Sequence, residues 1–385
     1  MSINKFIFNT IELFNALDKT RGVIQSRTPL PIIQDFKFNF NSSNRRCVIT
    51  ATNLTTTIQT KVFFDNADQN TQEEVDFCIS AHMLYNTIKE IKNEDIVSFE
   101  YHKEKGKCII STNNGNYTIK TKDAKEFPVT FTYNAEDFDN NDRIVFNTLD
   151  FYSAIDFSQS FCSVDEFKPN MRGIFIDNNA LVATDAHALA KYHINNNDDK
   201  QITEIINTEA LQLLKPIIAN RNDEFYIIKQ TNEIIFEYDD FVIITKKINE
   251  KFPDYKNIIP DLNKYSVFCL STSLLTNAVK RVGLYVDKSN SGRVIELKTN
   301  YDKILIKADD NPNGNNAEEY VDCISDHEEE INIGFNCNQL LKVLSKIKSN
   351  DLLLYLDTPS RAAFFKDNEN ANFILLMPVL LRSNF

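Results

Sequence analysis

Three similar stretches recur along the chain: Phe8-Asn-Thr-Ile-Glu-Leu-Phe-Asn-Ala-Leu17, Phe146-Asn-Thr-Leu-Asp-Phe-Tyr-Ser-Ala-Ile155 and, less closely, Leu270-Ser-Thr-Ser-Leu-Leu-Thr-Asn-Ala-Val279. Each follows a short run that is typical of a β-strand. Each then has an Asn, Ser or Thr that can cap a helix, because these side chains accept hydrogen bonds from the first free N–H groups. Apolar residues at helical spacing follow. The three stretches therefore predict three copies of a strand followed by a helix.

A second set of helix starts lies between the first three. They begin near Ile79, Asn207 and Phe335, so six helix starts recur at intervals of roughly 60–70 residues, as in an internally repeated protein. Runs that alternate apolar and polar residues separate them and predict strands. These runs are Cys47–Thr52, Thr56–Phe63, Ala180–Thr184, Ala188–His193 and Lys303–Ala308.

The predicted corners between strands also repeat. They fall at Asn53, Asp185 and Asp309, where an Asn or Asp side chain can bond to the nearby backbone of a turn. Together these repeats predict an α+β chain of three similar domains, each an internally duplicated helix-plus-sheet module. The predicted boundaries are 1–132, 133–262 and 263–385.

Composition and charge narrow the function. The chain has 385 residues, 42% of them hydrophobic, and a net charge of −12. A simple DNA-binding domain usually carries a basic excess, although charge can be segregated on one surface. The seven cysteines are scattered without C-x-x-C spacing, and the first residues contain no long apolar segment. We therefore expect free thiols in a reducing cytoplasm and no membrane segment.

No specific catalytic, nucleotide-binding or metal motif occurs, so we expect no cofactor, no metal and no enzyme activity. Thr184-Asp185-Ala186-His187 contains an acid and a base, but a turn between strands explains it better than catalysis. Asp326-His327-Glu328-Glu329-Glu330 is more typical of a solvated loop than of a metal site.

Cations cluster near the ends of the predicted helices. Lys342, Lys346 and Lys348 belong to the last of them by this interpretation. Some of these cations merely complement the helix dipole. The others could form a lining that contacts phosphates without reading bases.

Six segments, in order, resemble the bacterial DNA polymerase III beta sliding clamp family across essentially the whole chain. They are Arg27-Thr-Pro-Leu-Pro-Ile-Ile33, Ala124-Lys-Glu-Phe-Pro128, Asp165-Glu-Phe-Lys-Pro-Asn-Met-Arg-Gly-Ile174, Ala183-Thr-Asp-Ala-His-Ala-Leu-Ala190, Phe252-Pro-Asp-Tyr-Lys-Asn-Ile-Ile-Pro260 and Leu376-Met-Pro-Val379. Four sequence features depart from the family pattern: Ala186 replaces the usual Gly, Ala188 replaces the usual Arg, Lys168 stands where Arg is common, and the chain continues past the usual end as Leu380-Leu-Arg-Ser-Asn-Phe385.

The resemblance implies that the three domains are DNA-clamp domains forming half of a ring. Two chains would associate head to tail, with Tyr117 and Ile119 of one meeting Leu284 and Tyr285 of the other. Duplex DNA would pass through the hole without sequence preference. The implied DNA-facing residues are Arg27, Lys168, Lys342, Lys346 and Lys348.

The resemblance also implies a hydrophobic cleft that binds short linear peptides of the DNA polymerase III alpha subunit, the clamp loader and repair proteins. The matching residues are Met171, Thr184, His187, Leu189, Pro253, Ile258, Leu375, Met377, Pro378 and Val379. Asn336, Gln339 and Arg361 are further candidates at its polar rim. Taken singly, each apolar member of this set could equally be a core residue.

Three alternatives remain at this point. The chain could be an enzyme that uses Asp185 and His187, or a regulator that reads DNA sequence. It could also be a clamp of a phage or mobile element with its own set of partners.

Overall fold

The structure is a computed structural model that describes residues 3–66, 74–128, 133–139, 142–194, 200–286, 293–310, 313–325, 330–367 and 371–381. The described part of the chain contains six α-helices: α1 (Thr10–Arg21), α2 (Ala81–Glu90), α3 (Thr148–Ser158), α4 (Thr208–Ile218), α5 (Thr272–Val282) and α6 (Cys337–Leu344).

Each helix follows one strand and precedes three more, so the order β-α-β-β-β occurs six times. The strands are β1 (Ile3–Asn9), β2 (Asp35–Asn41), β3 (Arg46–Thr52), β4 (Thr56–Phe63), the short additional β5 (Asp65–Asn66), β6 (Glu74–Ser80), β7 (Ile96–His102), β8 (Lys107–Ser111), β9 (Asn116–Lys122), β10 (Arg143–Asn147), β11 (Gly173–Asp177), β12 (Ala180–Thr184), β13 (Ala188–His193), β14 (Thr203–Asn207), β15 (Glu224–Lys229), β16 (Glu233–Tyr238), β17 (Phe241–Lys246), β18 (Ser266–Ser271), β19 (Val294–Asn300), β20 (Lys303–Asp310), β21 (Asn315–Ser325), β22 (Asn332–Asn336), β23 (Asp351–Leu356), β24 (Ala363–Asp367) and β25 (Phe373–Leu376). The predicted α+β fold with six repeated modules is confirmed.

Capping side chains start the helices where the sequence predicts. Asn9 Oδ1 accepts hydrogen bonds from two N–H groups in the first turn of α1, both at 3.1 Å. Asn336 does the same for α6, at 3.0 and 3.1 Å. Ser80 and Ser271 cap α2 and α5 through their hydroxyls. The repeated helix starts thus have a repeated physical cause, because each cap satisfies N–H groups that have no partner inside the helix.

Two of the three predicted corners are turns of the same kind. Asn53 Oδ1 and Asp185 Oδ1 each accept from the backbone N–H groups two and three residues ahead. The intervening Leu54 and Ala186 both have φ of 74°. The third prediction is wrong: Asp309 lies inside β20, opposite Asn316 of β21. Strand pairing continues past it because β20 and β21 are longer than their counterparts.

The chain divides into two compact units by its internal contacts. The first contains the described residues up to Leu149, Lys200 and Glu209–Lys247. The second contains the described residues from Asp150 to Ile194, Gln201–Thr208 and those from Ile248 onward. The predicted middle domain is therefore shared between the two units, and the three-domain boundaries remain a prediction.

The first unit is built on one 13-stranded sheet, in the order β10-β15-β16-β17-β4-β3-β2-β6-β9-β8-β7-β1-β5. Its core is rich in phenylalanine: Phe6 and Phe40 stack with ring centroids 3.9 Å apart, and Phe38 stacks on Phe77 at 5.7 Å. These side chains are fully buried, and aromatic residues contribute large apolar areas to a core.

The second unit is built on a 12-stranded sheet, in the order β14-β11-β12-β13-β25-β24-β23-β18-β21-β20-β19-β22. β12 is buried along its whole length, as expected for a strand covered on both faces. β13 and β25 pair antiparallel in this sheet. Residues far apart in sequence thereby meet at the candidate site.

Candidate functional site

The turn between β12 and β13 forms one wall of the predicted cleft. Thr184 Oγ1 accepts from the Ala186 N–H at 3.1 Å and donates to the Ala188 carbonyl at 2.8 Å. Asp185 Oδ1 accepts from the His187 N–H at 2.9 Å and the Ala188 N–H at 2.8 Å. Asp185 is thus occupied in shaping the turn, and the exposed His187 side chain is presented at its tip. This geometry supports the turn and not an acid–base pair.

The second oxygen of Asp185 ties the turn to α6. Lys342 Nζ lies 3.0 Å from Asp185 Oδ2, and Gln339 Nε2 donates to the same oxygen at 3.4 Å. Burial raises the pKa of Asp185, but the hydrogen bonds from the Ala188 N–H and the Lys342 ammonium outweigh it. The pKa of the carboxyl is therefore held below its ordinary value, and Asp185 is an anion at neutral pH.

The chain after β25 forms the second wall of the predicted cleft, next to the turn. Leu189 and Leu375 are directly opposite each other in the β13–β25 pairing. Immediately beyond this pairing, the Met377 N–H donates to the His187 carbonyl at 2.8 Å. The Val379 N–H then donates to the Gly334 carbonyl of β22, also at 2.8 Å. His187 and Met377, predicted from separate motifs, are thus brought together.

Leu189 and Leu375 belong to the floor and not to the exposed lining. Both are buried in an apolar cluster that also contains Phe252 and Tyr255. Pro253, between those two aromatic residues, is half-buried. For the two leucines, the core role that the sequence left open is the one observed, and it supports the walls from below.

The remaining predicted cleft residues present apolar surface. Ile258 is 53% exposed and Met377 is 43% exposed, while Met171, Pro378 and Val379 are half-buried. The Asn170 side chain donates to the Lys251 carbonyl at 3.0 Å. This bond connects the segment that carries Met171 to the one that carries Pro253. Exposed methionine and aliphatic side chains form an adaptable surface for apolar peptides.

Sequence reasoning missed the roles of two residues in the support of this site, Gly334 and Lys342. A Cβ atom at Gly334 would lie 2.6 Å from the Val379 carbonyl oxygen and 2.8 Å from Leu381 Cδ2. Only glycine therefore lets the C-terminal segment pack this closely. Gly334 lies inside β22, and a glycine within a strand often marks a close approach of another backbone.

The predicted DNA-facing cations have different environments. Arg27 is exposed in the loop after α1, and Lys168 is exposed in the loop after α3. Lys342 and Lys346 are less exposed and form ion pairs with Asp185 and Asp156. Lys348 is 74% exposed along its side chain. The last two lysines lie beyond α6, not on it as predicted, because the helix ends at Leu344 and the chain turns toward β23.

The predicted interface residues also differ in exposure. Tyr117 of β9 is partly exposed, whereas its neighbour Ile119 is buried. Leu284 and Tyr285 lie in the 3-10 helix Gly283–Tyr285, and Leu284 is 74% exposed. Tyr285 beside it is 44% exposed, so the two residues together present apolar surface.

Within the described residues, no group of three or more His, Cys, Asp or Glu side chains could hold a metal ion. The acidic stretch 326–329, weighed above as a metal site, lies outside those residues. So do 382–385 of the C-terminal extension. No helix in the described part of the chain is long and apolar enough to cross a membrane.

Two family models match the chain in separate stretches. The N-terminal domain of the DNA polymerase III beta subunit matches residues 4–132, and the C-terminal domain of the same subunit matches residues 256–379. The chain belongs to the DNA polymerase III beta subunit family. Its members are sliding clamps, so this chain is a non-catalytic processivity subunit of DNA replication. The enzyme and sequence-reading regulator alternatives are thereby set aside.

Similar proteins agree with this family over their whole length. The beta sliding clamp of Haemophilus influenzae is 23% identical, with 98% of this chain and 100% of the relative covered. The beta sliding clamp of Buchnera aphidicola subsp. Rhopalosiphum padi is 24% identical, with coverages of 97% and 99%. A crystal structure of the sliding clamp from Pseudomonas aeruginosa bound to griselimycin is 20% identical. It superimposes with a TM-score of 0.86 and covers 99% of this chain and 100% of that one. The fold is thus retained at low sequence identity.

Proposed function

We propose that two copies of this clamp close head to tail into a ring around duplex DNA in the cytoplasm. Each copy contributes three domains, 1–132, 133–262 and 263–385. The ring slides without reading sequence and recruits the polymerase alpha subunit, the clamp loader and repair proteins through the cleft described above. One observation carries the proposal: among the described strands, the pairing that joins one predicted domain to the next leaves two strands, β9 and β21, with open edges.

The last strand of a module pairs with the last strand of another module in both sheets. β4 pairs antiparallel with β17 in the first unit, and β13 pairs antiparallel with β25 in the second. Both pairings join the last strand of a domain's first module to the last strand of the next domain's second module. Of the last strands of the six modules, as far as the structure describes them, β9 and β21 do not take part in such a pairing.

β9 and β21 each have an edge that is open over most of its length in the described structure. β9 pairs with β8 on one side, but with β6 only at Thr121 and Lys122. β21 pairs with β20 on one side, but with β18 only from Cys323 to Ser325. Open strand edges favour pairing with another chain. Pairing β9 of one copy with β21 of the other would repeat the internal pattern and close a two-fold ring.

The two open edges differ in charge and share apolar surface. β9 carries Lys120 and Lys122, whereas β21 carries Glu318, Glu319 and Asp322. The 3-10 helix Gly283–Tyr285 packs against β20 and β21, so it presents Leu284 and Tyr285 beside that edge. Opposite charges would fix the register, and the apolar side chains would supply affinity.

Substituting Leu284→Asp tests this interface. A buried charge without a partner is costly, so we expect the variant to sediment as a monomer at micromolar concentrations where the unmodified chain is a dimer. Leu274→Asp, on an exposed leucine of α5, is the matched control and should remain dimeric. An unmodified chain that sediments as a monomer, or a Leu284→Asp variant that remains dimeric, would contradict this interface.

For DNA, we propose that exposed cations contact phosphates at the ring's inner surface. Arg27, Lys168 and Lys348 are the exposed members of the predicted set. Lys342 and Lys346 would contribute more weakly, because their side chains are only 25% and 18% exposed, against 74% for Lys348. Phosphate contacts carry no base information, which suits a clamp that must move along any sequence.

A further inference from the structure

The two walls of the cleft are joined directly by the Met377–His187 backbone bond, and one short segment, β22 with α6, contacts both of them. Gly334 of β22 accepts the backbone hydrogen bond from Val379, just after Met377 and Pro378. In the second turn of α6, Lys342 donates to the Asp185 carboxylate in the other wall. The same segment thus contacts the turn and the C-terminal segment, which are otherwise far apart in sequence.

The contact with the C-terminal segment is close. Val379 forms an isolated antiparallel bridge with Gly334, and both its carbonyl oxygen and the Leu381 side chain lie where a Cβ of residue 334 would be. A methyl group there meets backbone, which cannot rotate away as a side chain can. Adding it must therefore move the segment that carries Met377.

The contact with the turn is ionic and partly buried. The side chains of Lys342 and Asp185 are 25% and 14% exposed, and the Lys342 ammonium also lies 4.8 Å from the centre of the Phe161 ring. A charge-assisted hydrogen bond in such surroundings is stronger than one at an open surface. The other Asp185 oxygen holds the N–H groups of His187 and Ala188, so a displaced carboxylate would alter the turn itself.

We propose that Gly334 and Lys342 are positioning residues that brace the two walls of the peptide cleft, which the Met377–His187 backbone bond joins, in the conformation that binds peptide. This inference rests on the proposed cleft function. It assigns to α6 a role in peptide affinity, beside the weak DNA contact proposed above for Lys342. Neither residue needs to touch the peptide.

Binding of griselimycin to the full-length dimer, measured by calorimetry, tests the proposal. We expect Lys342→Met to weaken binding about tenfold, because it removes the ammonium and retains the stem. Lys342→Arg should recover most of the affinity. Gly334→Ala should weaken binding by a similar factor. Lys298→Met is the matched control: it removes a lysine ion pair with Glu330 beside β22 and should bind normally.

A double-mutant cycle separates positioning from a general loss of structure. If Lys342 acts through Asp185, Lys342→Met should cost little further affinity in an Asp185→Asn background. Additive losses, or normal binding by both Lys342→Met and Gly334→Ala, would overturn the proposal. Met377→Ala distinguishes failure of the positioning role from failure of the proposed cleft. If it weakens binding while the other two variants do not, the cleft stands and the positioning role fails. If Met377→Ala also binds normally, both fail.

Discussion

At the residue scale, the turn from Thr184 to His187 shows how backbone conformation and function meet. Ala186 has φ of 74°, in the left-handed region that costs an L-residue roughly 1–2 kcal/mol and glycine almost nothing. The family usually has glycine here, so this chain tolerates strain at the tip of a cleft wall. The bonds from Thr184 and Asp185 hold the turn in that conformation.

Ala186→Gly should therefore stabilise the chain. Relief of the left-handed strain is partly offset by the greater freedom of glycine in the unfolded chain. We expect a net gain of about 1 kcal/mol in the free energy of unfolding, measured by urea denaturation. Ala188→Gly removes the same methyl group from a buried strand position and should lower stability. Equal destabilisation by both substitutions would show that Ala186 is not strained.

The Asp185 carboxylate gives the turn a defined pH dependence. Because its folded-state pKa lies below the ordinary value of 3.8, its stabilising effect is present above that value and is lost as the pH falls through the folded pKa. At pH 7, Asp185→Asn should lower the free energy of unfolding by about 1–3 kcal/mol. The difference from the unmodified chain should shrink below pH 3.8. A difference that stays constant or grows in acid would contradict the assignment.

At the element scale, helix starts and most strands follow from local sequence. A capping residue before an apolar repeat, as at Asn9 and Asn336, is a local signal that packing reinforces. Local reasoning fails where a long-range partner decides. Asp309 looks like a corner residue, but pairing with Asn316 keeps it in β20. Lys346 continues the helical spacing, but it bonds the Asp156 carbonyl at 2.6 Å beyond the end of α6.

For the candidate site too, the sequence predicts one part and misses another that long-range contacts decide. Its motifs could be recognised because they resemble a family, and β13 and β25 do bring His187 and Met377 together. What supports them could not be found this way. The Lys342–Asp185 ion pair and the Gly334–Val379 bridge join positions that sequence spacing does not relate. The sheet pairing also decides that Leu189 and Leu375 are buried beneath the cleft while Met377 is exposed.

At the scale of the whole molecule, the net charge of −12 suits a protein that holds DNA by enclosure. Strong phosphate contacts would slow sliding, whereas a closed ring needs only weak and sequence-independent ones. The ion-paired lysines of and after α6, Lys342 and Lys346, agree with weak contact. In the proposed ring, the open edges of β9 and β21 would pair and close it. Retention would therefore depend on DNA topology more than on affinity.

The most direct test of this claim is retention on DNA with and without free ends. The clamp is assembled on nicked circular duplex with a bacterial clamp loader and ATP, and its release is followed before and after one restriction cut. We predict long retention on the circle and rapid loss from the linear product at the same salt concentration. Equal retention on circular and linear DNA would contradict the closed ring.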